Sequence, residues 1–547
     1  MFFTRGSFKG HGGCFCVYKG VGERRIKAAR DKAVIAQLRT EGGGMVSDPK
    51  GMVEAASSFY QESFREKDID GSKESVFLGF LREKVHPDAA SDLDRPFELE
   101  EVEAALRGLP ANKVPGYDGI PCEFYLLPLP HLLEILGRDF LSVIKAVYDS
   151  GLLGSSMREG VLTLLYKKGE RDNMGNYRPI TLLCADYKVV AHVLAGRLRK
   201  VLPHVIHEDQ TCGVEGRSIH WNLSLVRDCI AWAQDRGVHL MLVGLDMEKA
   251  FDKVHHGFLF SVLDRMGFGA GFLRWVGILY TAVGSRVLVN GHVGEVVPQQ
   301  TGVRQGCPLS PLLFVLYMEP LAAAIRADVR IKGLRPPGGG SSEVKISQYA
   351  DDMTLFLTSE GSASGARVNL GKSSVKFFGP WAGREEGLSG LPLCSGPMRV
   401  LGVDFEVTGS EGINWGQRIA KVRTRVGLWK ARRLSMSGRV LVIKADILPS
   451  LVYLAYVFPL PPRYRKDLVR TLFSFVWGGY EYVKRDWMVQ SVEEGGRGVP
   501  DLPLKLDTIF FSSICKSLVN PCNHGFKAFV LAILPSAKVD SMGKLPT

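Results

Sequence analysis

Tyr349-Ala350-Asp351-Asp352 sits between two stretches that alternate as the arms of a β-hairpin do. Val344-Lys345-Ile346-Ser347-Gln348-Tyr349 leads in, and Met353-Thr354-Leu355-Phe356-Leu357 leads out. Adjacent carboxylates at a strand turn raise each other's pKa unless a cation lies between them. Hard oxygen donors of this kind favour magnesium or manganese. A solvated Asp-Asp turn is the plain alternative, but a second acidic strand end lies upstream. There the apolar run from His239 to Leu245 ends abruptly at Asp246, the pattern of a buried strand delivering a carboxylate to a sheet edge. A helix N-cap is the other common use of such an aspartate. If the two strand ends lie side by side, Asp246, Asp351 and Asp352 can share two metal ions. A site of that type activates an attacking oxygen and stabilises a leaving one during in-line phosphoryl transfer.

Further blocks flank these acids. In chain order they are Asn112-Lys113-Val114-Pro115-Gly116-Tyr117-Asp118-Gly119-Ile120-Pro121, Asn176-Tyr177-Arg178-Pro179-Ile180, and Leu245-Asp246-Met247-Glu248-Lys249-Ala250-Phe251-Asp252. Gly302-Val303-Arg304-Gln305-Gly306-Cys307-Pro308-Leu309-Ser310-Pro311 follows, then the Tyr349 tetrapeptide and Val368-Asn369-Leu370-Gly371-Lys372-Ser373. In these blocks, over roughly Glu23 to Val499, the chain resembles the reverse transcriptase of LINE-type non-LTR retrotransposons. The resemblance implies an α+β right-hand polymerase with an antiparallel palm sheet, fingers and a helical thumb. It implies RNA-directed addition of dNTPs to a primer 3′-OH, with two Mg2+ ions (or Mn2+) held by Asp246, Asp351 and Asp352. The partners it implies are an RNA template and a DNA primer or RNA–DNA hybrid.

Other positions take their expected tasks from the same resemblance. Phe251 is the steric gate whose ring would clash with a ribose 2′-hydroxyl; on residue type alone it would be a core phenylalanine. Gln305 and Gly306 line the incoming nucleotide and template base, glycine allowing close backbone approach and the amide offering donor and acceptor. Arg178 can fork onto a triphosphate, and Lys168 offers a movable point charge or an ordinary surface one. Lys372 is the late palm lysine placed to protonate departing pyrophosphate. Lys113, with Gly116 and Asp118, is assigned to template contact. Asp252 caps or salt-bridges as readily as it binds metal.

The formal net charge of +12, from 69 basic and 57 acidic residues, suits a polyanionic partner. It is concentrated from Arg418 to Lys444, where nine Lys or Arg stand without a single Asp or Glu. Ile419, Val422, Val426, Leu428 and Trp429 are interleaved, so one helix face packs while Arg423, Arg425, Arg432 and Arg433 face phosphates. The ten cysteines lack a disulfide or zinc spacing, Cys515, Cys522 and His524 included. Together with the absence of a signal-peptide pattern this predicts an intracellular protein, nuclear or cytoplasmic, and no membrane span is expected.

Five regions are expected: a disordered glycine-rich stretch over 1–22, a helical connector over 23–96, fingers and palm over 97–378, the palm end and basic thumb over 379–499, and a truncated tail over 500–547. Pro336 to Ser342 reads as a flexible turn feeding the Tyr349 strand. Two departures from the resemblance stand out. Leu357 to Arg367 is small and polar where the family places an apolar-striped helix, and no endonuclease or zinc knuckle is expected. The short 357–367 run favours the alternative of a catalytically silent, nucleic-acid-binding remnant; the acids favour the polymerase.

Overall fold

In the computed structural model, the described residues are 34–67, 70–126, 132–247, 249–336, 343–359, 373–384, 391–519 and 529. The 1–22 stretch, Lys372, Cys522, His524 and most of both the Pro336–Ser342 turn and the Leu357–Arg367 run lie outside them. In chain order the strands are β1 (Leu38–Arg39), β2 (Met45–Val46), β3 (Glu159–Tyr166), β4 (Tyr177–Leu182), β5 (Leu240–Leu245), β6 (Gly284–Val289), β7 (His292–Pro298), β8 (Ile346–Tyr349), β9 (Asp352–Leu357), β10 (Ser374–Phe378), β11 (Met398–Val400) and β12 (Val403–Phe405). They fall into two compact units that interleave along the sequence instead of following one another. One holds 34–207, 213–215 and 249–323, and the other 208–212, 216–248 and the chain from 324 onward.

The first unit is built on a four-stranded sheet of order β4-β3-β6-β7, antiparallel except for the parallel β3–β6 pair. Helix Pro49–Ser63 covers it. Asp48 accepts a hydrogen bond from the Gly51 N–H at 2.7 Å and Pro49 pre-sets the first turn, so the helix start is fixed locally. Its buried stripe of Met52, Val53, Ala56 and Tyr60 shares a core with Leu162, Val287, Val289 and Val297. Before it, the connector departs from the helical expectation. Gly43, at φ 81°, closes a tight turn in which the Thr40 N–H donates to Gly44 O at 2.8 Å, and β1 pairs with β2 across it. Glycine supplied a left-handed turn there, and a hairpin formed within the stretch expected to be helical.

The second unit contains the all-antiparallel sheet β10-β5-β9-β8. β5 is buried from Leu240 to Val243, and β9 from Met353 to Leu357. Leu240, Leu242, Phe356 and Phe378 join one core with Trp415, Ile419, Val422 and Val426 of helix Ser410–Lys430. Each such side chain contributes roughly 1.5–3 kcal/mol by leaving water. Helix Ile219–Arg236 opens on the Ser218 hydroxyl and stops at Gly237, which takes φ 62°. Leu428, expected to pack, is 56% exposed, because it lies two residues past Val426, about 200° round the helix from the buried stripe. The expected tail also begins as a helix, Leu502–Val519, which buries Leu502 and Leu506 in the same core.

Helix Ser310–Ala327 is, among the described residues, the one helix long and apolar enough to cross a membrane, where the sequence reading expects none. Its span is 61% buried inside the fold, as core helices are.

Candidate active site

The register of the second unit's sheet decides where its acids fall. β5 and β9 run antiparallel with Leu245 opposite Met353, so the next residue on β5, Asp246, continues toward Asp352. β8 and β9 pair Tyr349 with Asp352, leaving Ala350 and Asp351 as a two-residue hairpin turn. Ala350 takes φ 55°, a left-handed conformation more usual for glycine at a tight hairpin. Asp246, Asp351 and Asp352 therefore lie at one end of one sheet, as the two acidic strand ends predict. Burial, with the neighbouring carboxylates of Asp351 and Asp246, pushes the Asp352 carboxyl above its usual range. The Asp246 N–H donates to Ser373 Oγ at 3.4 Å, which fixes the end of β5 against the start of β10. Three hard oxygen donors in a field of their own like charge fit a divalent cation such as magnesium.

A tighter grouping lies in the first unit. Among the described residues, Asp118, Cys184 and Asp186 form the one trio of potential ligands with all donor atoms within 4.8 Å of one another. Burial pushes the Cys184 thiol up to about 11, and it donates to Ser156 O at 3.4 Å. Burial raises Asp186 as well. A protonated thiol and a half-buried carboxyl make a poor cage for a hard ion, and Cys184 is the N-cap of helix Ala185–Val205. The Asn112 loop packs here because Gly116 comes so close to Cys184 that an added Cβ would lie 2.4 Å from its N atom. Lys113 stays exposed on that loop.

The first unit also carries the expected nucleotide-binding residues. Lys249, at φ 50°, starts the short helix Ala250–Lys253. One face of Phe251 stacks on Phe314, with centroids 4.3 Å apart and planes 18° apart, and the ring is half-buried. Asp252 is 5% exposed, and burial raises its pKa while Gln305 and nearby lysines oppose the rise. Gln305 Nε2 donates to its Oδ1 at 2.9 Å, so Asp252 serves as a strut for the Gln305 loop. The Thr181 N–H donates to Gln305 O at 2.7 Å, and Gly306 at φ 126° lets the loop meet β4. On β4, Tyr177, Pro179 and Thr181 turn inward while Arg178 faces solvent, and Lys168 is exposed in the β3–β4 connection.

The basic run, on helix Ser410–Lys430 and just past its end at Arg432 and Arg433, is less bare than its sequence. Arg423 pairs with Asp467, Arg425 meets Asp446 at 3.3 Å, and Arg432 lies over the Trp429 ring at 4.1 Å. Lys421 and Arg433 remain exposed. Replacing those two by alanine should flatten the salt dependence of duplex binding by about one unit of log–log slope per residue. Arg425→Ala should change it less. Fluorescence anisotropy on an RNA–DNA duplex across a salt series measures both. Sequence reading passed over the polar residues behind the acidic turn, Gln210, Thr211 and Asn222, since isolated amides and hydroxyls carry little pattern.

The reverse transcriptase (RNA-dependent DNA polymerase) family matches residues 165–376, a span that includes all three acids, Phe251 and Gln305. The chain carries a reverse-transcriptase domain. Similarity extends beyond that domain. Over 531 residues, 90% of this chain, it is 32% identical to the Transposon TX1 uncharacterized 149 kDa protein of Xenopus laevis, covering 38% of that protein. It is 26% identical over 263 residues, 48% of this chain, to the Retrovirus-related Pol polyprotein from type-1 retrotransposable element R2 of Popillia japonica, covering 35% of it. It is 24% identical over 298 residues, 52% of this chain, to the RNA-directed DNA polymerase from mobile element jockey of Drosophila melanogaster, covering 30% of it. The chain thus spans well under half the length of each of these relatives. The reverse-transcriptase domain draws on both units, from β3 of the first to β10 of the second.

Proposed function

We propose that this chain is an RNA-directed DNA polymerase of retrotransposon origin, extending a primer 3′-OH with dNTPs along an RNA template inside the cell. The observation that carries the reading is the convergence of Asp246, Asp351 and Asp352 at one end of the β10-β5-β9-β8 sheet, within the reverse-transcriptase domain. On this reading that sheet is the palm, the β3–β4 ribbon belongs to the fingers, and the helices from Ser410 onward form the thumb of a right-hand polymerase. The three carboxylates would hold two divalent ions, which supply charge neutralisation at the reacting phosphate and activation of the primer oxygen. Arg178 and Lys168 would bind the triphosphate, and Gln305 and Gly306 would shape the floor beneath base and template. Lys113, Arg432 and Arg433 would touch the nucleic-acid backbone. Lys372, outside the described residues, keeps its proposed task as proton donor to the departing pyrophosphate.

Phe251 would select sugars. With one ring face fixed on Phe314 it cannot easily swing away from a 2′-hydroxyl, so Phe251→Val should raise use of rNTPs relative to dNTPs on the order of a hundredfold. Competing dNTP and rNTP incorporation in single-nucleotide extension measures the ratio. RNA-templated primer extension by the purified chain tests the reading as a whole. Full-length cDNA supports it. Tight binding of the primed template by folded chain without any extension would instead support a silent binding remnant, the reading that the short, polar 357–367 run favours.

A further inference from the structure

The acidic turn is held from behind by one side chain. Gln210 is completely buried, and its amide reaches both main-chain groups of Ala350. Its Oε1 accepts from the Ala350 N–H at 3.0 Å, and its Nε2 lies 3.5 Å from Ala350 O. The same Nε2 donates to Gln348 Oε1 at 3.1 Å, and the same Oε1 accepts from the Cys212 N–H at 3.1 Å. Ala350 is the residue with φ 55°, a conformation an alanine keeps when its surroundings over-determine it.

The clamp is itself braced. Gln210 bridges Gln348 in parallel, adding a short edge to β8: the Gln348 N–H donates to Asp209 O at 2.8 Å, and the Thr211 N–H to Gln348 O at 3.1 Å. Asn222, from helix Ile219–Arg236, donates to Ser347 Oγ and to Gln348 O, both at 2.8 Å, and it also meets the Thr211 hydroxyl. Gln210, Thr211, Asn222, Ser347 and Gln348 are each no more than 5% exposed. Buried amides and hydroxyls connected in this way specify a single geometry, because any shift strands a polar group away from water.

We propose that Gln210 is a positioning residue for the acidic turn, clamping Ala350 by both main-chain groups and so setting where Asp351 and Asp352 stand. The inference deepens the polymerase reading and rests on it for its kinetic consequence, but the clamp itself is measurable without activity. Gln210→Leu removes donor and acceptor at similar volume, while Gln210→Glu keeps an acceptor for the Ala350 N–H. In folded Gln210→Leu, amide hydrogen exchange of the 345–357 hairpin should accelerate at least about tenfold relative to the core helices, with Gln210→Glu intermediate. In RNA-templated extension, Gln210→Leu should lose about 10–100-fold in kcat and need more Mg2+, with KM for dNTP little changed. Gln210→Glu should recover part of that loss. Wild-type hairpin exchange in folded Gln210→Leu overturns the clamp, as does wild-type kcat with unchanged Mg2+ dependence. A wild-type chain that extends nothing overturns the polymerase reading, and the exchange comparison still decides the clamp.

Discussion

Asp351→Asn combined with Asp352→Asn abolishes nucleotide addition, by on the order of a thousandfold or more, and leaves the fold intact. Asparagine keeps the shape of both side chains, so β8 and β9 keep their register through Tyr349 and Asp352. What it removes is charge, and charge is what the sheet end concentrates: Asp351 and Asp246 both act on Asp352, whose carboxyl is already raised by burial. In the absence of metal those like charges oppose folding. The doubly substituted chain should therefore melt about 1–3 °C higher than wild type in chelator, and the gap should narrow when Mg2+ is added. Calorimetry with and without chelator reads the stability, and primer extension reads the activity. A gain in metal-free stability alongside a loss of extension is the signature of acids retained for chemistry and not for the fold.

The second large effect concerns Gly306. Its φ of 126° lies where side chains are rarely tolerated, and a Cβ there would sit 2.4 Å from Thr181 O. β4 cannot retreat without breaking the Thr181 N–H bond to Gln305 O. Gly306→Ala should therefore cost about 3 kcal/mol, combining backbone strain with loss of the loop's contact to β4. Gly216→Ala is the control: Gly216 also has positive φ, 76°, but open space where the Cβ would go, and about 1 kcal/mol is expected. Urea unfolding of both variants reads the difference. A Gly306→Ala chain as stable as Gly216→Ala would show that the loop does not press on β4 as described.

The acidic sheet end was legible from sequence because two local patterns carried it. Alternation on either side of Tyr349 gave the hairpin, and the apolar run into Asp246 gave the buried strand; that β9 lies against β5 and brings the acids together is seen only in the structure. Features made by distant pairs were not legible. The parallel β3–β6 pairing joins residues more than a hundred positions apart, and nothing in either strand announces it. The run from Arg418 to Lys444 contains no acid, yet Asp446 and Asp467 reach back to Arg425 and Arg423. The two compact units were not legible for the same reason: the chain passes between them several times. Gln210 was silent because a single amide in the polar stretch His207-Glu208-Asp209-Gln210-Thr211 has no periodicity, and its partner Ala350 lies 140 residues away. The connector misled in the opposite sense, since its glycines form a hairpin turn as readily as they break a helix.

The claim that matters most is that the strand-end acids, and not the tighter Asp118-Cys184-Asp186 trio, hold the metal the reaction needs. RNA-templated primer extension as a function of Mg2+ concentration tests it, with wild type, Asp351→Asn and Asp118→Asn compared on one primed template. The expected result is extension by wild type, the same Mg2+ requirement in Asp118→Asn, and no extension by Asp351→Asn at any Mg2+ concentration. Extension by Asp351→Asn, or a Mg2+ requirement that shifts with Asp118→Asn instead, would contradict the account.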